Sequence, residues 1–523
     1  MASRDTCLDR RNFLGLAAGG AALWISGCGD DGSAGEGEDE SGGGTAADGT
    51  VGDDDDDDDD DNGSTGPGEE TGIGDDDDDD YDDDDSEDES TGGEPVECET
   101  DTFEEEFDAG AIPQDDDMFP LAVMAGEMRR TSAMFSTLLP GGGTKTLRVW
   151  RPGDRDGVMV IVAELEVEPD ADGYSKTTIE GLCPGTWYRY AFFQGSRGNF
   201  TARSLIGEVQ TAPENDSVEP LTVAISACNG NSFDWPALEV TADEYYDMFL
   251  HLGDMAYNDG SFTLEEYRAS WRQYLSTLGM RVAYSRAGLF ATWDDHEIDD
   301  NSNFDRETMR PDQLEKRQNA MDAYFEIIPI DAEGPDYQLW RSFRWGSTAE
   351  IIVLDCRYER RPSMGQYISP EQMEWLKDRL ANSPCHFKII MNSVPITNMP
   401  LVWDVAANDR WEGFPNDRDD LLSFIDDNAI DNVWFVSGDF HVCFISRLEM
   451  MGDSRSANLH EIAITGGRTN PLGDLLPGNQ FSWGSSQPHG CLLTFDPAEN
   501  SVTVRFIDPG SGVVAHEETL SYD

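Results

Sequence analysis

Beyond Pro213 the chain alternates short apolar runs with longer amphipathic stretches. The apolar runs are 221–226, 248–252, 351–354, 388–391 and 433–437, and each ends in glycine or polar residues. Stretches with helical periodicity lie between them, at 264–278, 311–325 and 370–382. Continuous apolar strands that alternate with helices are typical of a sheet buried on both faces. The pattern therefore predicts an α/β domain over residues 214–523.

The segment 107–213 has a different pattern, in which β-branched and aromatic residues form short runs between turns rich in glycine and proline. Such spacing predicts an antiparallel β-sandwich. The sequence 182–188, which ends in Trp187 and Tyr188, resembles the corner between strands E and F of fibronectin-III-like sandwiches. Because the segment has no cluster of titratable residues, we expect it to have a structural role.

The first 28 residues show the order of features found in an export signal. Arg10 and Arg11 precede an apolar stretch, 13–26, that is too short to span a bilayer. This order resembles a twin-arginine signal, which exports folded proteins. The stretch leads to Cys28 in a context that resembles a bacterial lipobox, so we expect a lipid-anchored protein in the periplasm or on the cell surface. A soluble product cleaved elsewhere, or an N-terminal helix with a chance arginine pair, are the alternatives.

Composition adds a strong negative charge that is concentrated after the signal. The formal net charge is −71, and 34 acidic residues with no Lys or Arg lie between Gly29 and Glu99. This segment has too few apolar residues to form a core, so we expect a disordered tether over residues 29–106. The charge excludes non-specific binding to nucleic acids and to anionic membrane surfaces. Any membrane attachment must therefore be covalent or hydrophobic rather than electrostatic.

The number of cysteines shows that not all of them can form disulfides within the chain. Seven cysteines follow the signal: Cys98, Cys183, Cys228, Cys356, Cys385, Cys443 and Cys491. An exported protein meets an oxidising compartment, and an odd number of cysteines leaves at least one thiol unpaired or bound to another group. The sequence leaves the pairing open.

The runs 221–226, 248–252, 388–391 and 433–437, and a further apolar stretch at 289–292, end in side chains that can bind metals. These side chains are Cys228, Asp254, Tyr257, Asp294, Asn301, Asn392, Asp439 and His441. In α/β sheets, functional residues collect beyond the carboxyl ends of the strands. Turns favour Asp and Gly but have no need for Cys, Tyr and His, so the sequence predicts a metal centre at these ends. Asn392 is the weakest of the candidates.

Several candidates also have simpler explanations. Asp294 and Asn301 could each cap a helix. Cys228 and Tyr257 could be core residues, a small apolar side chain and a packed aromatic ring. His296 could face the substrate, support a ligand, or be a structural histidine whose hydrogen bonds are satisfied.

The order of these motifs resembles that of the PhoD-like alkaline phosphatases in the calcineurin-like metallophosphoesterase superfamily. The most specific motif is Trp-Asp-Asp-His-Glu at 293–297, and the resemblance covers about 119–508. It implies a four-layer α/β/β/α metallophosphoesterase domain preceded by the fibronectin-III-like sandwich. It also implies a bridged iron–calcium site and hydrolysis of phosphate monoesters and diesters.

The resemblance also implies roles for single residues. The implied metal ligands are Cys228, Asp254 and Tyr257 on the Fe(III) side, with Asp254 bridging; Asp294, Asn301 and Asp439 on the Ca(II) side; and His441 as a further ligand. Arg317, in the pair Lys316-Arg317, is the candidate for holding substrate phosphate, and His296 is the second catalytic candidate. A metal-bound thiol is deprotonated, so Cys228 is the natural candidate for the odd cysteine.

Two other functions stay open at this point. A phospholipase-D-like phosphodiesterase of the same fold would select its substrate through loops 260–283 and 399–417, where certain aromatic residues could contact a lipid. Those residues are Phe262, Tyr267, Trp271, Trp403, Trp411 and Phe414. A non-catalytic surface lipoprotein would bind calcium through the acidic segment instead, and would lose that binding when residues 29–99 are deleted. For the enzyme we expect a monomer.

Overall fold

The computed structural model describes residues 97–230, 232–300, 305–331, 337–400, 409–450 and 454–521. The predicted export signal with Cys28, and the acidic segment as far as residue 96, lie outside these ranges. So do Asn301 and Trp403. In the described part of the chain, no helix combines the length and apolar character needed to cross a bilayer.

The described elements comprise many short strands and six α-helices. The strands are β1 (Phe103–Glu106), β2 (Met124–Gly126), β3 (Ala133–Leu138), β4 (Lys145–Pro152), β5 (Val158–Val167), β6 (Tyr174–Ile179), β7 (Trp187–Gln194), β8 (Ala202–Arg203), β9 (Gly207–Gln210), β10 (Leu221–Ser226), β11 (Met248–Leu252), β12 (Gly288–Thr292), β13 (Arg341–Trp345), β14 (Ala349–Val353), β15 (Phe387–Met391), β16 (Val433–Ser437), β17 (Cys443–Arg447), β18 (His460–Ala463), β19 (Phe481–Ser485), β20 (Gly490–Asp496), β21 (Ser501–Ile507) and β22 (Val514–Ser521). The helices are α1 (Pro236–Ala242), α2 (Leu264–Leu275), α3 (Leu278–Arg286), α4 (Pro311–Ile327), α5 (Pro370–Asn382) and α6 (Pro415–Asp427).

Two mixed sheets pack face to face. Their strand orders are β22-β21-β20-β10-β11-β12-β2-β3-β6 and β13-β14-β15-β16-β18-β17-β19. Strands β10 to β12 are parallel in the first sheet, as are β14, β15, β16 and β18 in the second. Leu250 and Ile389 belong to the core between the sheets, while Phe249 packs with helices α1 to α4 and Ile390 with α5 and α6. The predicted four-layer α/β/β/α architecture is confirmed.

The N-terminal part forms the predicted β-sandwich. A separate antiparallel sheet, β1-β5-β4-β7-β8 with β9 beside β7, packs through Tyr190 against Phe135 of β3. The backbone N–H of Cys183 donates to the hydroxyl of Tyr188 at 2.7 Å, which is the hydrogen bond of a tyrosine corner. Strand β2 pairs with β12, so one sheet of the sandwich continues into the α/β domain.

Residues 97–106 belong to the fold, although the sequence assigned them to the acidic tether. Cys98 forms a disulfide with Cys183, and β1 pairs with β5. Glu99 accepts hydrogen bonds from Arg151, at 2.9 Å, and from the Tyr188 hydroxyl, at 2.8 Å. Glu99, Glu104 and Glu105 of this segment form ion pairs with arginines of the sandwich, contacts that composition alone does not indicate. The five other described cysteines, Cys228, Cys356, Cys385, Cys443 and Cys491, are free and buried.

Candidate metal centre

The carboxyl ends of the parallel strands from both large sheets converge on one cluster of ligand atoms. Three overlapping groups are present: Cys228, Asp254 and His441; Asp254, Asp295 and His296; and Asp294, Asp295 and Asp439. Within each group the ligand atoms lie within 4.8 Å of one another. Because Asp254 and Asp295 each belong to two groups, the three groups form one continuous cluster. Tyr257 joins it, since its hydroxyl donates to Asp254 Oδ2 at 3.1 Å and lies 3.4 Å from His441 Nε2.

The backbone at four of these residues is strained. The φ angles are 53° at Cys228, 57° at Asp254, 65° at Asp439 and 57° at His441. A side chain in this left-handed region costs on the order of 1 kcal/mol, and such residues concentrate at functional sites. The strain therefore supports a functional role for these four strand ends rather than an ordinary turn role.

The cluster fits a bound cation because it contains buried carboxylate oxygens without partners. Oδ1 of Asp254, Oδ2 of Asp294 and Oδ2 of Asp439 are buried and accept no hydrogen bond from any residue that the structure describes. Unpaired charge in the interior costs several kcal/mol unless a partner or a metal compensates it. Carboxylate oxygens with nearby thiol, phenol and imidazole groups suit a centre that holds a hard ion beside a softer one.

Electrostatics indicates the same need for positive charge. Burial, and then the charges of Asp295 and Asp294, raise the pKa of Asp254 well above its ordinary value. Burial and the charge of Asp294 do the same to the pKa of Asp439. Burial and the charge of Asp254 raise the pKa of the Cys228 thiol. A bound cation reverses each of these effects, because it stabilises the ionised forms.

The chain is similar to known proteins both in sequence and in structure. Residues 223–475 match the family described as PhoD-like phosphatase. Residues 223–475 are a PhoD-like phosphatase domain. The match spans the strand ends that carry Cys228, Asp254, Asp294, Asp439 and His441, so the family resemblance expected from the motifs is confirmed.

Relatives of the PhoD-like domain support the same fold. Alkaline phosphatase D of Bacillus subtilis (strain 168) is 26% identical over 334 residues, which is 55% of this chain and 56% of that protein. The chain thus spans little more than half the length of this curated relative. A solved structure of PhoD matches with a TM-score of 0.65 and 22% identity over 77% of this chain and 89% of that one. Purple acid phosphatase PPD1 from yellow lupin (Lupinus luteus) seeds matches with a TM-score of 0.53 and 14% identity over 77% and 75%.

Arg357 is a residue of the PhoD-like domain that the sequence reasoning missed. Its guanidinium is buried and forms ion pairs with Asp294, Asp409 and Asp439, the last at 3.0 Å. It leaves Oδ2 of Asp294 and Oδ2 of Asp439 without a hydrogen-bond partner within the described ranges. Arg357 therefore offsets part of the negative charge of the cluster and holds two candidate ligands from behind. Arg357 follows the end of β14, so the expectation that functional residues lie beyond the carboxyl ends of strands could have identified it.

Glu297 holds two ligand loops of the PhoD-like domain together. Its carboxylate accepts hydrogen bonds from the backbone N–H groups of Asp254 at 3.0 Å, Met255 at 2.5 Å and Asp294 at 2.8 Å. Burial raises its pKa to about 7. The sequence identified Glu297 as part of a motif but did not indicate this positioning role, which depends on a contact between the ends of β11 and β12.

Glu297→Gln is expected to lower metal content as well as stability. The amide replaces one acceptor oxygen with a donor that faces backbone N–H groups, and a charge-assisted hydrogen bond contributes roughly 2 kcal/mol. Glu461→Gln is a matched control, because Glu461 is also buried and accepts from the backbone of Ile396 and Thr397. Chemical unfolding and metal analysis should show similar losses of stability in both variants, with metal lost only from Glu297→Gln. Full metal content in Glu297→Gln would contradict the positioning role.

His296 belongs to the cluster through its group with Asp254 and Asp295. Its ring lies 3.8 Å from the Tyr257 ring, between centroids, and its Nδ1 is 2.8 Å from Asp259 Oδ1. Burial lowers the pKa of His296, but the hydrogen bond to Asp259 and the charge of Asp295 outweigh it and raise the pKa above its ordinary value. An imidazole held in this way can bind a metal or carry a proton.

Two other candidates lie in surroundings that favour a structural role. Arg317 packs its guanidinium 3.3 Å from the centre of the Tyr358 ring and donates to the Tyr358 carbonyl at 2.6 Å. Among the described residues, no hydrogen bond or ion pair joins Arg317 to the cluster. Asn392 Oδ1 accepts from Trp411 Nε1 and from the Cys356 thiol, both at 3.0 Å, so the oxygen that would bind a metal is already used.

Proposed function

We propose that this protein is a metal-dependent phosphoesterase that hydrolyses phosphate monoesters and diesters. The observation that carries the proposal is the set of three buried, unpartnered carboxylate oxygens on Asp254, Asp294 and Asp439, gathered with Cys228 and His441. Membership of residues 223–475 in the PhoD-like phosphatase family supports it. Nearly all the described candidate ligands converge on one end of the two sheets, as a single active centre requires.

We propose Fe(III) and Ca(II) as the two ions. Cys228, Tyr257 and His441 offer thiolate, phenolate and imidazole, and anionic donors of this kind stabilise a trivalent ion. Asp294 and Asp439 offer carboxylate oxygens, which suit calcium. Carboxylate oxygens of Asp254 lie within 4.8 Å of ligand atoms of Cys228, His441 and Asp295. Asp254 is therefore the residue that would bridge the two ions.

The chain's own residues would orient and protonate the substrate. When bound, the two cations supply positive charge for the phosphoryl oxygens and acidify a water molecule. Arg357 keeps Asp294 and Asp439 in place through its ion pairs. His296, held by Asp259 at Nδ1 and with Nε2 3.7 Å from Asp300 Oδ1, would give a proton to the departing alcohol. Proton transfer of this type contributes roughly 10²- to 10⁴-fold to a rate.

Metal analysis combined with hydrolysis tests this function. The purified chain is assayed on a chromogenic monoester and a chromogenic diester, before and after chelation, and its iron and calcium are counted. We expect at least one tightly bound ion per chain and hydrolysis that chelation removes and metal addition restores. Less than one bound ion together with no hydrolysis would contradict the proposal.

The positions of the aromatic residues in the two candidate substrate loops do not favour a phospholipid substrate. Tyr267, Trp271, Trp411 and Phe414 are buried in helical cores, and Phe262 is 39% exposed. These buried rings have packing roles and do not present an apolar surface to a lipid. We therefore propose small soluble phosphoesters as the substrate class.

We also propose that the protein is exported through a twin-arginine route, anchored by a lipid on Cys28 and active as a monomer. The order of Arg10, Arg11, the apolar stretch and Cys28 supports export and anchoring. Folding around metal ions before export suits a route that carries folded proteins. The acidic segment would then hold the catalytic domain away from a membrane of like charge.

Deletion of residues 29–96 is expected to leave kcat/KM and metal content unchanged. The cut stops at residue 96 because Cys98 and Glu99 bond to the sandwich, so a deletion through residue 99 would also break the disulfide. Turnover and bound calcium are measured on both forms of the chain. A calcium-binding lipoprotein without catalysis would instead lose most of its bound calcium with this segment, and that result would favour the non-catalytic alternative.

A further inference from the structure

We propose that Arg468, which lies beside His441, binds the phosphate group of the substrate. The inference rests on the proposed phosphoesterase function. Arg468 lies on the loop after β18 and lines a cavity of about 340 Å³ together with His441, Asn229, Ser232 and Thr469. Because His441 is a member of the cluster, this cavity opens onto the candidate centre.

The Arg468 loop is fixed to both sides of the centre. The backbone N–H of Arg468 donates to the carbonyl of Cys228 at 3.1 Å, and that of Gly466 donates to the carbonyl of Ala227 at 2.7 Å. On the other side, Asn470 Nδ2 donates to the carbonyl of Phe440, next to His441, at 3.0 Å. The loop therefore keeps a constant position relative to two candidate metal ligands, as a substrate-binding residue requires.

The charge of Arg468 is available to a ligand. Its guanidinium carbon lies 5.1 Å from the centre of the ring of Tyr257, whose hydroxyl donates to Asp254 of the cluster. In the described ranges it forms no ion pair, whereas Arg357 and Arg360 both pair with Asp409. Arg468 is partly exposed, facing the cavity. A cation that lies near many acids yet pairs with none is suited to an anion that arrives from solution.

Two glycines provide the space that this arrangement needs. A Cβ at Gly467 would lie 1.8 Å from the carbonyl oxygen of Asn229, so only glycine allows the two loops to approach this closely. A Cβ at Gly230, where φ is +76°, would lie 2.8 Å from Cδ of Arg468. The local sequence therefore leaves room for the Arg468 side chain along the cavity wall.

The chemistry of the guanidinium favours phosphate. Its planar fork donates two parallel hydrogen bonds to the oxygens of phosphate, a geometry that lysine cannot reproduce. The cavity is near the lower end of the size range for small-molecule sites, which suits the phosphate group of a small ester. Hydroxyls of Ser232 and Thr469 line the same wall and provide further hydrogen-bonding groups.

Equilibrium binding of inorganic phosphate to the metal-loaded full chain tests the proposal. Arg468→Gln is expected to weaken phosphate binding roughly 10- to 100-fold, the loss that follows from removing a charge-assisted pair of hydrogen bonds. Arg468→Lys keeps the charge but loses the fork, so we expect an intermediate affinity. Arg447→Gln, an exposed arginine on β17 of the same sheet, is the matched control and should bind phosphate as the unaltered chain does.

Metal content, melting temperature and KM separate binding from a structural role. In Arg468→Gln, KM for a chromogenic monoester should rise by a factor similar to that for phosphate, with metal content and melting temperature unchanged. Phosphate affinity and KM within twofold of the unaltered chain would overturn the proposal, as would loss of metal together with phosphate binding in both Arg468 variants. If the unaltered, metal-loaded chain hydrolyses no ester, the phosphoesterase function itself fails. If it hydrolyses esters and the Arg468 variants behave like Arg447→Gln, only the present inference fails.

Discussion

Asp254→Asn is expected to lower kcat/KM for a phosphate monoester by roughly three orders of magnitude or more, because a metal-bridging carboxylate supports several kcal/mol of transition-state stabilisation. Asp254 is buried, belongs to two of the three ligand groups and leaves Oδ1 without a partner. An amide has the same shape but no charge, so it would bind the bridging position weakly. The fold should persist, since the substitution removes an uncompensated negative charge from the interior.

The measurement compares kcat/KM with bound metal in the same preparations. Asp378→Asn is the control, because Asp378 is an exposed acid on α5 whose partners in the described part of the chain are neighbours on its own helix. Cys228→Ala should behave like Asp254→Asn, with loss of the ion on the Cys228 side. Asp254→Asn with activity and metal content close to those of Asp378→Asn would exclude Asp254 as a bridging ligand.

Removal of the metals is expected to destabilise the fold, and to do so more strongly at neutral pH than at acidic pH. A ligand present at about 1,000 times its Kd contributes about 4 kcal/mol to the free energy of unfolding. Chelation removes that contribution. It also leaves Asp254, Asp294, Asp439 and Glu297 buried together with only part of their charge compensated by Arg357.

The direction of the pH effect follows from the raised pKa values. In the metal-free fold the pKa of Glu297 is about 7, against an ordinary value of 4.5, and those of Asp254 and Asp439 are also raised. The folded form thus keeps protons that the unfolded chain releases, so the metal-free fold loses stability as pH rises from about 4.5 to about 7. Thermal unfolding with and without chelator at about pH 5 and about pH 8 should show the larger difference at the higher pH. An equal difference at both values would contradict the buried, uncompensated cluster.

Much of the fold and of the candidate centre follows from local sequence. Runs such as 248–252 end directly at Asp254, and parallel strands carry their ends to one edge of a sheet, so proximity of the described ligands could be predicted without knowing any contact. The alternation of apolar runs and helices likewise predicted a buried α/β sheet, whereas the four layers were implied by the resemblance to the PhoD-like family.

What the sequence left out depends on contacts between distant elements. The roles of Arg357 and Glu297 exist only because the ends of β14, β11 and β12 meet, and a single-sequence pattern does not encode that meeting. Arg317 has the residue type expected for phosphate binding, but the Tyr358 ring fixes its guanidinium in a packed position. Residues 97–106 were assigned to the tether because their acids were counted without the arginines that pair with them across the sandwich.

The disulfide between Cys98 and Cys183 also determines where a mechanical load would enter the molecule. Cys98 precedes β1 in the chain, so tension applied along the segment before it reaches a covalent bond before it reaches β1. The load passes to Cys183, beside the Tyr188 corner, and the hydrogen bonds between β1 and β5 are bypassed. If the chain is anchored at Cys28 as we propose, drag on the folded domain would not peel its first strand from the sandwich.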